Sequence, residues 1–366
     1  MKPGLKYMAV IASCVLSHAA LATDWPGFPL TASTARAELS FGLSTVGDKV
    51  SYTPNLPTGG FAPPRKKPRY QSRITSINWQ ANPDWRFTGE HQQQRFISLR
   101  DNFSFNRLSF SAEYQLPAIQ PHTRTSLDFT ISSNRSSVLN KNSYTRIKDN
   151  LLTSLRINNP SDLQWQTNVS QTRDISTHSR LTFFTGMGRI SSGHDGITGL
   201  VRDSSGCQYG FDFGNSGGEI DQLGQCGTVT ALNRQYPSDA TISRELGVAP
   251  IKDLQNNAWF YRVGGGLSTS HQRWSGHIAY YYQQYLRDDL DSRIVANGGT
   301  IYDNNQVLAL EATHRTGKKL SLSATLEYNQ HRFLDKIPVL YTRLTASRFR
   351  NDVVYLTLRA NYSFAP

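Results

Sequence analysis

Charged side chains recur within segments of the chain that alternate between apolar and polar residues. Four arginines lie on the polar faces of such segments, namely Arg86, Arg156, Arg262 and Arg359. Charged residues that line a pore set its preference for ions, so these arginines predict an anion-leaning pore if their faces line one. The alternative is that each arginine pairs with a carboxylate on a similar face, for which the candidates are Glu90, Glu113, Glu311 and Glu327.

A second group of chemically capable residues lies in segment 191–256, which is too long for a plain connection. It contains Cys207 and Cys226, and an even pair of cysteines predicts one disulfide if the chain is exported. On a chain-entropy argument that bond stabilises its loop by roughly 3 kcal/mol. Eight acidic and four basic residues give the segment a net charge of −4.

This acidic segment contrasts with the rest of the chain. The full sequence has a net charge of +12, which becomes +10 without Lys2 and Lys6. An acidic, disulfide-closed loop on a basic body suggests a loop that folds over or into the mouth of a pore. The candidates for such a constriction are Asp203, Asp212, Glu219 and Asp221. The alternative is an exposed surface loop that the disulfide protects against proteolysis.

The sequence predicts no enzyme site. Barrel-borne phospholipases need a His and a Ser two residues apart on one strand face, so that the imidazole activates the hydroxyl. None of the eight histidines after residue 22 is followed by such a serine, and His314 with Thr316 is the nearest approach. We therefore expect no catalytic residues, no metal and no cofactor. A lipid A-modifying enzyme with dispersed residues stays open as an alternative.

Two short motifs have simple readings. The stretch Pro63-Pro64-Arg65-Lys66-Lys67-Pro68-Arg69 is basic and proline-rich, so it predicts either a binding site for lipopolysaccharide phosphates or a solvated loop. The triplet Gly264-Gly265-Gly266 lies within an alternating run with no helix after it. That position favours close backbone packing or barrel curvature over a phosphate-binding loop.

The elements that position these residues are predicted to be β-strands. Between residues 108 and 116 one face is apolar, with Leu108, Phe110, Ala112, Tyr114 and Leu116, while the residues between them are polar. A period of two predicts strands with two different faces. Thirteen runs of this kind are found, at 37–45, 71–82, 84–97, 105–117, 124–134, 146–158, 162–173, 179–190, 257–268, 273–287, 304–315, 319–331 and 350–364.

Short turn sequences between several runs predict an up-and-down antiparallel order. One predicted hairpin joins 151–157 to 163–169 through an Asn-Asn-Pro-Ser-Asp turn. An even number of strands is expected for a single-chain bacterial barrel, so a fourteenth strand is sought at 49–55 or at 339–346. The first choice places segment 191–256 outside the cell and the second places it in the periplasm. Long loops normally lie outside, which favours the first.

Composition agrees with an all-β transmembrane antiparallel up-and-down β-barrel of about fourteen strands, within a range of twelve to sixteen. Hydrophobic residues make up 38% of the chain and charged residues 18%, and Ser, Thr, Asn, Gln and aromatic residues fill the difference. An apolar outer face and a wet inner face account for this balance. No run of about 18 apolar residues is present, which excludes helical membrane spans.

The first 22 residues predict a signal peptide for export. Lys2 and Lys6 precede a short apolar run, and Ala20-Leu21-Ala22 forms a cleavage site. The remainder, 23–366, is predicted to be one barrel domain. The residues before Cys14 also fit a bacterial lipoprotein box, which is the alternative to ordinary cleavage.

The last alternating run, 354–364, resembles the terminal strand of Gram-negative outer-membrane β-barrel proteins, which end on an aromatic residue. Here Tyr362 and Phe364 take those places, although Ala365 and Pro366 follow them. The resemblance implies the outer membrane as location and the barrel-assembly machinery as a partner during insertion.

The predicted function is a porin-like channel for passive passage of small solutes, with the Cys207–Cys226 loop as gate. The expected partners are outer-membrane lipid and lipopolysaccharide, with no nucleic acid, and a homo-oligomer stays open. The remaining alternative is an outer-membrane component of a polysaccharide or surface-protein export or assembly system.

Overall fold

A computed structural model describes most of the chain after residue 36. The described residues are 37–46, 69–97, 101–117, 120–141, 145–147, 150–202, 205–214, 217–223, 234–236, 250–287, 289–296, 300–330, 336–340 and 353–364. The predicted signal peptide, the Cys14 alternative and the basic stretch 63–68 lie outside these residues and stay predictions.

Twelve long antiparallel strands close into a barrel. They are β1 (Ala37–Val46), β2 (Arg69–Gln80), β3 (Trp85–Ile97), β4 (Asp101–Gln115), β5 (Thr123–Arg135), β9 (Ser161–Asp174), β10 (Ser179–Gly193), β15 (Ala258–His271), β16 (Trp274–Arg287), β17 (Asn304–Arg315), β18 (Leu320–Asn329) and β19 (Val353–Phe364). Each pairs with the next in this order, and β19 pairs back onto β1 from Ala37↔Phe364 to Val46↔Tyr355. Closure gives each barrel strand a hydrogen-bonded neighbour on both sides, so that its backbone groups are paired as a lipid environment requires.

The predicted alternation gives the barrel its two faces. On β5 the inward residues are buried, and the outward residues Leu127, Phe129 and Ile131 are exposed. Large apolar side chains are exposed in the same way on every barrel strand for which burial is described. An apolar belt around the full circumference is the surface that a bilayer core requires. No helix among the described residues is long and apolar enough to cross a membrane.

The predicted central count of fourteen strands is wrong, and twelve, the lower end of the expected range, is found. Twelve of the thirteen alternating runs are the barrel strands. The run 146–158 is not one of them, because β8 (Asn150–Asn158) pairs with β6 (Val138–Lys141) and β11 (Gly196–Arg202). The predicted hairpin from 151–157 to 163–169 is therefore also wrong, since β9 pairs with β5 and β10.

The two ends of the barrel differ in the length of their connections. The short turns 81–84, 116–122, 175–178, 272–273 and 316–319 lie at the end where β1 begins and β19 finishes. The long connections lie at the opposite end. Because periplasmic turns are short and external loops are long in this class of protein, the long-connection end faces the cell exterior. The described residues of segment 191–256 lie at this end, and the predicted position of the segment outside the cell rests on the same rule.

Strands of two external connections form an antiparallel extension of the barrel wall. It begins where the upper end of β4 pairs with β6, and it continues through β8, β11, β12 (Gln208–Gly214), β13 (Gly217–Leu223) and β14 (Arg234–Tyr236). The short strand β7 (Thr145–Ile147) also pairs with β8. Two short helices, α1 (Pro250–Leu254) and α2 (Leu290–Ala296), and a 3-10 turn, Pro338–Leu340, complete the external end.

Candidate functional site

The external opening of the barrel contains an apolar cluster, which we call the mouth cluster. Inward residues of four barrel strands pack there against residues of the external connections. The wall contributes Tyr70, Ile74, Phe96, Phe105 and Tyr355, and the connections contribute Leu139, Leu152, Leu155, Ile157, Ile197, Phe213, Leu254, Ile337 and Val339. Burial of such side chains stabilises the packed arrangement by about 1.5–3 kcal/mol each.

Residues 336–340, which we call the strap, cross the mouth. The strap belongs to the connection between β18 and β19, and it packs against β9 and β10. In the ring of twelve strands β18 and β5 are six places apart, so the strap reaches the opposite wall. Ile337 is fully buried there and Val339 is 5% exposed.

Hydrogen bonds with buried residues of the wall and of the segment just before β15 hold the strap in place. Asn134 Nδ2 donates to the Lys336 carbonyl at 3.0 Å, and the Val339 amide donates to Asp162 Oδ2 at 3.3 Å. Asn256 Nδ2 donates to the Pro338 carbonyl at 3.1 Å. Asn134 Nδ2 also donates to Asp162 Oδ1 at 2.9 Å, which fixes both wall residues. Buried polar groups that satisfy one another in this way specify one position of the segment.

The connection between β16 and β17 folds inward as well. Leu290 and Ile294 of α2 pack against the inward residues Ile190, Phe260 and Tyr285 near the top of β10, β15 and β16. Arg287 Nη1 lies 3.0 Å from Asp291 Oδ1 and anchors the start of the helix. Burial raises the pKa of Asp291, although the Arg287 charge opposes that shift. The barrel mouth is thus covered from two sides.

Below the mouth the inner wall is polar and hydrogen-bonded. Gln92 Nε2 donates to Ser72 Oγ at 2.8 Å, and the hydroxyls of Ser126 and Ser170 are 2.8 Å apart. Such a wall suits contact with water and polar solutes, because their hydrogen bonds replace those of bulk water. Ser40 and Ser44 on β1 add buried hydroxyls, and Arg359 on the paired strand β19 adds Nε and Nη2, none of which has a hydrogen-bond partner among the described residues.

Three of the four predicted pore arginines lie on the inner wall, each with a carboxylate nearby. Arg86 Nη1 is 3.2 Å from Glu113 Oε2. Arg262 Nε donates to Asn168 Oδ1 at 2.8 Å, and Asn168 Nδ2 donates to Asp128 Oδ1 at 2.8 Å. The Arg262 guanidinium also lies 5.7 Å from the Phe184 ring centre and 5.8 Å from that of Tyr281.

The remaining predicted wall residues separate into two groups. Arg359 is buried on the inner wall within electrostatic range of Glu38, and Glu90 and Glu327 are also buried there. Arg156 is exposed on β8, outside the ring of barrel strands, so its predicted place in the lumen is wrong. This error has the same cause as the wrong strand count, because Arg156 lies on β8 and β8 is not a barrel strand.

The predicted acidic constriction is not assembled by the described residues. Asp212 and Glu219 are exposed and opposite one another on β12 and β13, while Phe213 next to Asp212 is buried in the mouth cluster. Asp203 and the side chain of Asp221 lie outside the described residues. Cys207 lies just before β12, but Cys226 is outside the described residues, so the disulfide stays a prediction.

Sequence reasoning missed the residues that close the mouth. The sequence predicts only residues 339 and 340 of the strap to be structured, as part of a possible fourteenth strand at 339–346. These two residues belong to a 3-10 turn, and 341–346 lie outside the described residues. The sequence around Asn134, Asp162 and Asn256 resembles that of other polar positions, so it does not predict that they bind the strap. Inward aromatic residues at the upper strand ends, such as Phe96 and Phe105, were the signal that was available.

Gly264-Gly265-Gly266 allows close packing on the inner wall, as predicted. A Cβ atom at Gly264 would lie 2.5 Å from the Tyr280 carbonyl oxygen and 2.7 Å from the Phe184 ring. The missing side chain leaves room for Phe184 and Tyr281, which pack together within the barrel.

The terminal strand has the features that its sequence suggested. Phe364 is exposed on the outer surface at the periplasmic end of β19, and its ring centre is 5.3 Å from that of Tyr362. Aromatic residues at this level form the interfacial girdle of membrane barrels.

Comparisons with known proteins support the fold. No family model matches the chain, and no curated protein is similar to it in sequence. The translocator domain of the autotransporter NalP from Neisseria meningitidis is similar in structure, with a TM-score of 0.50 and 10% identity over 99% of this chain and 94% of that one.

Two further solved structures are more distant. The NanC porin has 6% identity and a TM-score of 0.43 over 89% of this chain and 100% of that one. The Pseudomonas putida toluene transporter TodX has 8% identity and a TM-score of 0.41 over 97% and 94% of the two chains. At such identities the likeness is one of fold. The closed ring, the apolar belt and the likeness to the NalP translocator domain together show a transmembrane β-barrel of twelve strands, of the outer-membrane type.

Proposed function

We propose that the chain is a porin-like outer-membrane channel for small polar solutes, in which the strap and the mouth cluster act as the gate. The observation that supports this most directly is the strap itself, which is hydrogen-bonded to the wall opposite its own strands. Passage of a solute requires the strap to leave that wall. In this proposal the gate involves the strap in addition to the Cys207–Cys226 loop expected from the sequence.

Two properties of the molecule support a gate over a permanent stopper. The strap is joined to the barrel by connections at both ends, so it can move without any strand leaving the sheet. The described hydrogen bonds of the strap to Asn134, Asp162 and Asn256 each contribute a net 0.5–1.5 kcal/mol or so. Together with the burial of two apolar side chains, these contacts stabilise the closed position by several kcal/mol. Free-energy differences of this order separate the alternative conformations of proteins that switch between two states.

Passage of neutral polar solutes tests the gate. In a liposome-swelling assay with small sugars, we expect Asp162→Ala to increase the swelling rate severalfold over the wild type, because it removes the acceptor of the Val339 amide. Asn256→Ala, which removes the contact to Pro338, serves as an independent second variant. Ser126→Ala is the matched control, since it removes an inward hydroxyl far along the strand from the strap, and it should leave the rate unchanged.

The gate would be refuted if both strap variants fold, as judged by heat-modifiable migration, and swell at the wild-type rate. Equal acceleration by Ser126→Ala would likewise count against it, because any loss of wall packing would then open the channel.

The anion preference expected from the sequence remains to be measured. The inner wall contains carboxylates beside Arg86, Arg262 and Arg359, so their charges are locally compensated. We therefore propose at most a weak preference for anions. Reversal potentials under a salt gradient should lie near zero, and a strong preference for either ion would contradict this balance.

We also propose that the chain has no lipid-hydrolysing activity. The hydroxyl of Thr316, the nearest match to a catalytic serine, donates to the Leu320 carbonyl at 3.1 Å within a turn. The His314 ring packs against Trp274 at 4.5 Å between ring centres. Hydrolysis of labelled phospholipid by the purified, folded protein would contradict this proposal.

A further inference from the structure

The outer surface of β2 to β5 changes from apolar near the periplasmic end to basic near the long-connection end. The register places Trp79, Phe87, Ala112 and Phe129 side by side near the periplasmic end, and Ile77, Gly89, Phe110 and Ile131 form the next row. A transitional row follows, with Thr75, His91, Leu108 and Ser133. Above it Arg73, Gln93, Asn106 and Arg135 lie in one row across four neighbouring strands.

Arg73, Arg95 and Arg135 form what we call the outer arginine patch. All three are exposed and point away from the lumen. Arg95 lies diagonally across from Arg73 on the paired strand, at about 7–8 Å in such geometry. With adjacent strands about 4.8 Å apart, the row from Arg73 to Arg135 spans roughly 14 Å. The patch therefore has the width of a lipid headgroup rather than of a single ion.

The described charges on the outer face of the barrel strands are all positive. Among barrel-strand residues whose side chains the structure describes, the outward faces contain arginines but no Asp or Glu. The carboxylates of these strands, such as Glu90 and Asp128, point inward. Arg189 of β10 is a further exposed outward arginine, and its guanidinium lies 5.4 Å from the Trp259 ring centre. On β16 and β17 the outward polar residues near the long-connection end are uncharged, namely Tyr282, Gln284 and Gln306. Because neutral polar residues serve solvation there, solvation alone does not require three clustered arginines on β2, β3 and β5.

We propose that the outer arginine patch binds the phosphate groups of lipopolysaccharide. The patch lies at the long-connection end, which is the cell-surface side, and lipopolysaccharide is the lipid of that leaflet. Guanidinium groups bind phosphate oxygens through paired hydrogen bonds. The amides of Gln93 and Asn106 between the arginines supply further donors for phosphate or sugar oxygens. The apolar rows below the transitional row accept the acyl chains of the same molecule.

The test measures binding of purified lipopolysaccharide to the folded full-length barrel in detergent. We expect the triple variant Arg73→Gln, Arg95→Gln, Arg135→Gln to bind at least tenfold more weakly than the wild type. Arg173→Gln is the matched control, because Arg173 is also exposed on the outer face but lies at the periplasmic end of β9. It should bind as the wild type does. Dephosphorylated lipopolysaccharide should bind the wild type as weakly as the triple variant binds the intact lipid.

Three results would overturn the proposal. They are unchanged binding by the folded triple variant, equal binding of dephosphorylated lipid, and binding of phosphatidylglycerol bicelles as tight as that of lipopolysaccharide. The last result would show a general anionic-lipid surface. Because the patch lies outside the lumen, sugar swelling by the triple variant should match the wild type, so failure here is distinguishable from failure of the channel.

Discussion

At the scale of single residues, Gly264 lies where two aromatic rings meet the inner wall. The substitution Gly264→Ala would place a methyl group 2.5 Å from a backbone oxygen that cannot rotate away. We expect a loss of about 1–3 kcal/mol from overpacking, and a lower temperature for the loss of the folded band in heat-modifiable migration. Gly193→Ala is the control, since a methyl group there meets nothing within 4 Å. Equal melting of the two variants would contradict the packing role.

Residue orientation was largely predictable, whereas residue partners were not. A period of two decides which face a side chain shares, so Glu90, Arg262 and Glu327 were placed correctly on the polar face. Their contacts depend on which strands are neighbours and on register. Arg86 lies next to Glu113 because β3 pairs with β4 at that position, and no local pattern in the sequence encodes that pairing.

At the scale of elements, β8 shows the limit of alternation as a signal. Its apolar residues are buried in the mouth cluster instead of facing lipid. Both environments are apolar and both demand the same period, so the sequence pattern does not distinguish a membrane strand from a strand of the external sheet. The length of β8, nine residues, is also near that of a membrane strand.

The attachment of the external sheet to the mouth predicts a local effect of substitutions in β8. Leu155 is 3% exposed, and Leu155→Asp buries a charge in the mouth cluster. We expect proteolysis of intact cells to cut within 196–223 much faster in this variant, while heat-modifiable migration of the barrel persists. Arg156→Asp changes the neighbouring exposed residue and should leave the protease pattern unchanged. Equal protection of both variants would show that the sheet does not depend on this contact.

At the scale of the whole molecule, the distribution of long and short connections predicts which end of the barrel faces the cell exterior. An epitope inserted after Gly206, in an exposed turn before β12, should bind antibody on intact cells. The same epitope after Gly317, in the short turn between β17 and β18, should bind only after permeabilisation. The reverse pattern would place the mouth cluster in the periplasm and would remove the basis for lipopolysaccharide contact.

The barrel as a whole was predictable in class because composition, alternation and the terminal strand all pointed to one environment. Its closure at twelve strands was not, since the count depends on assigning β8 correctly. The strap was the feature that the sequence indicated least. Residues 336–340 form contacts with strands more than 140 positions earlier in the chain, and such contacts leave no periodic trace.

Single-channel recording of the wild type beside a strap variant tests the central claim most directly. The variant is Ile337→Asp with Val339→Asp, which places two charges in the buried contact between strap and wall. The account predicts a mostly closed wild-type channel with rare openings, and long openings of the same unit conductance in the variant. A wild type that conducts steadily at full amplitude, unchanged by the variant, would contradict a gate formed by the strap.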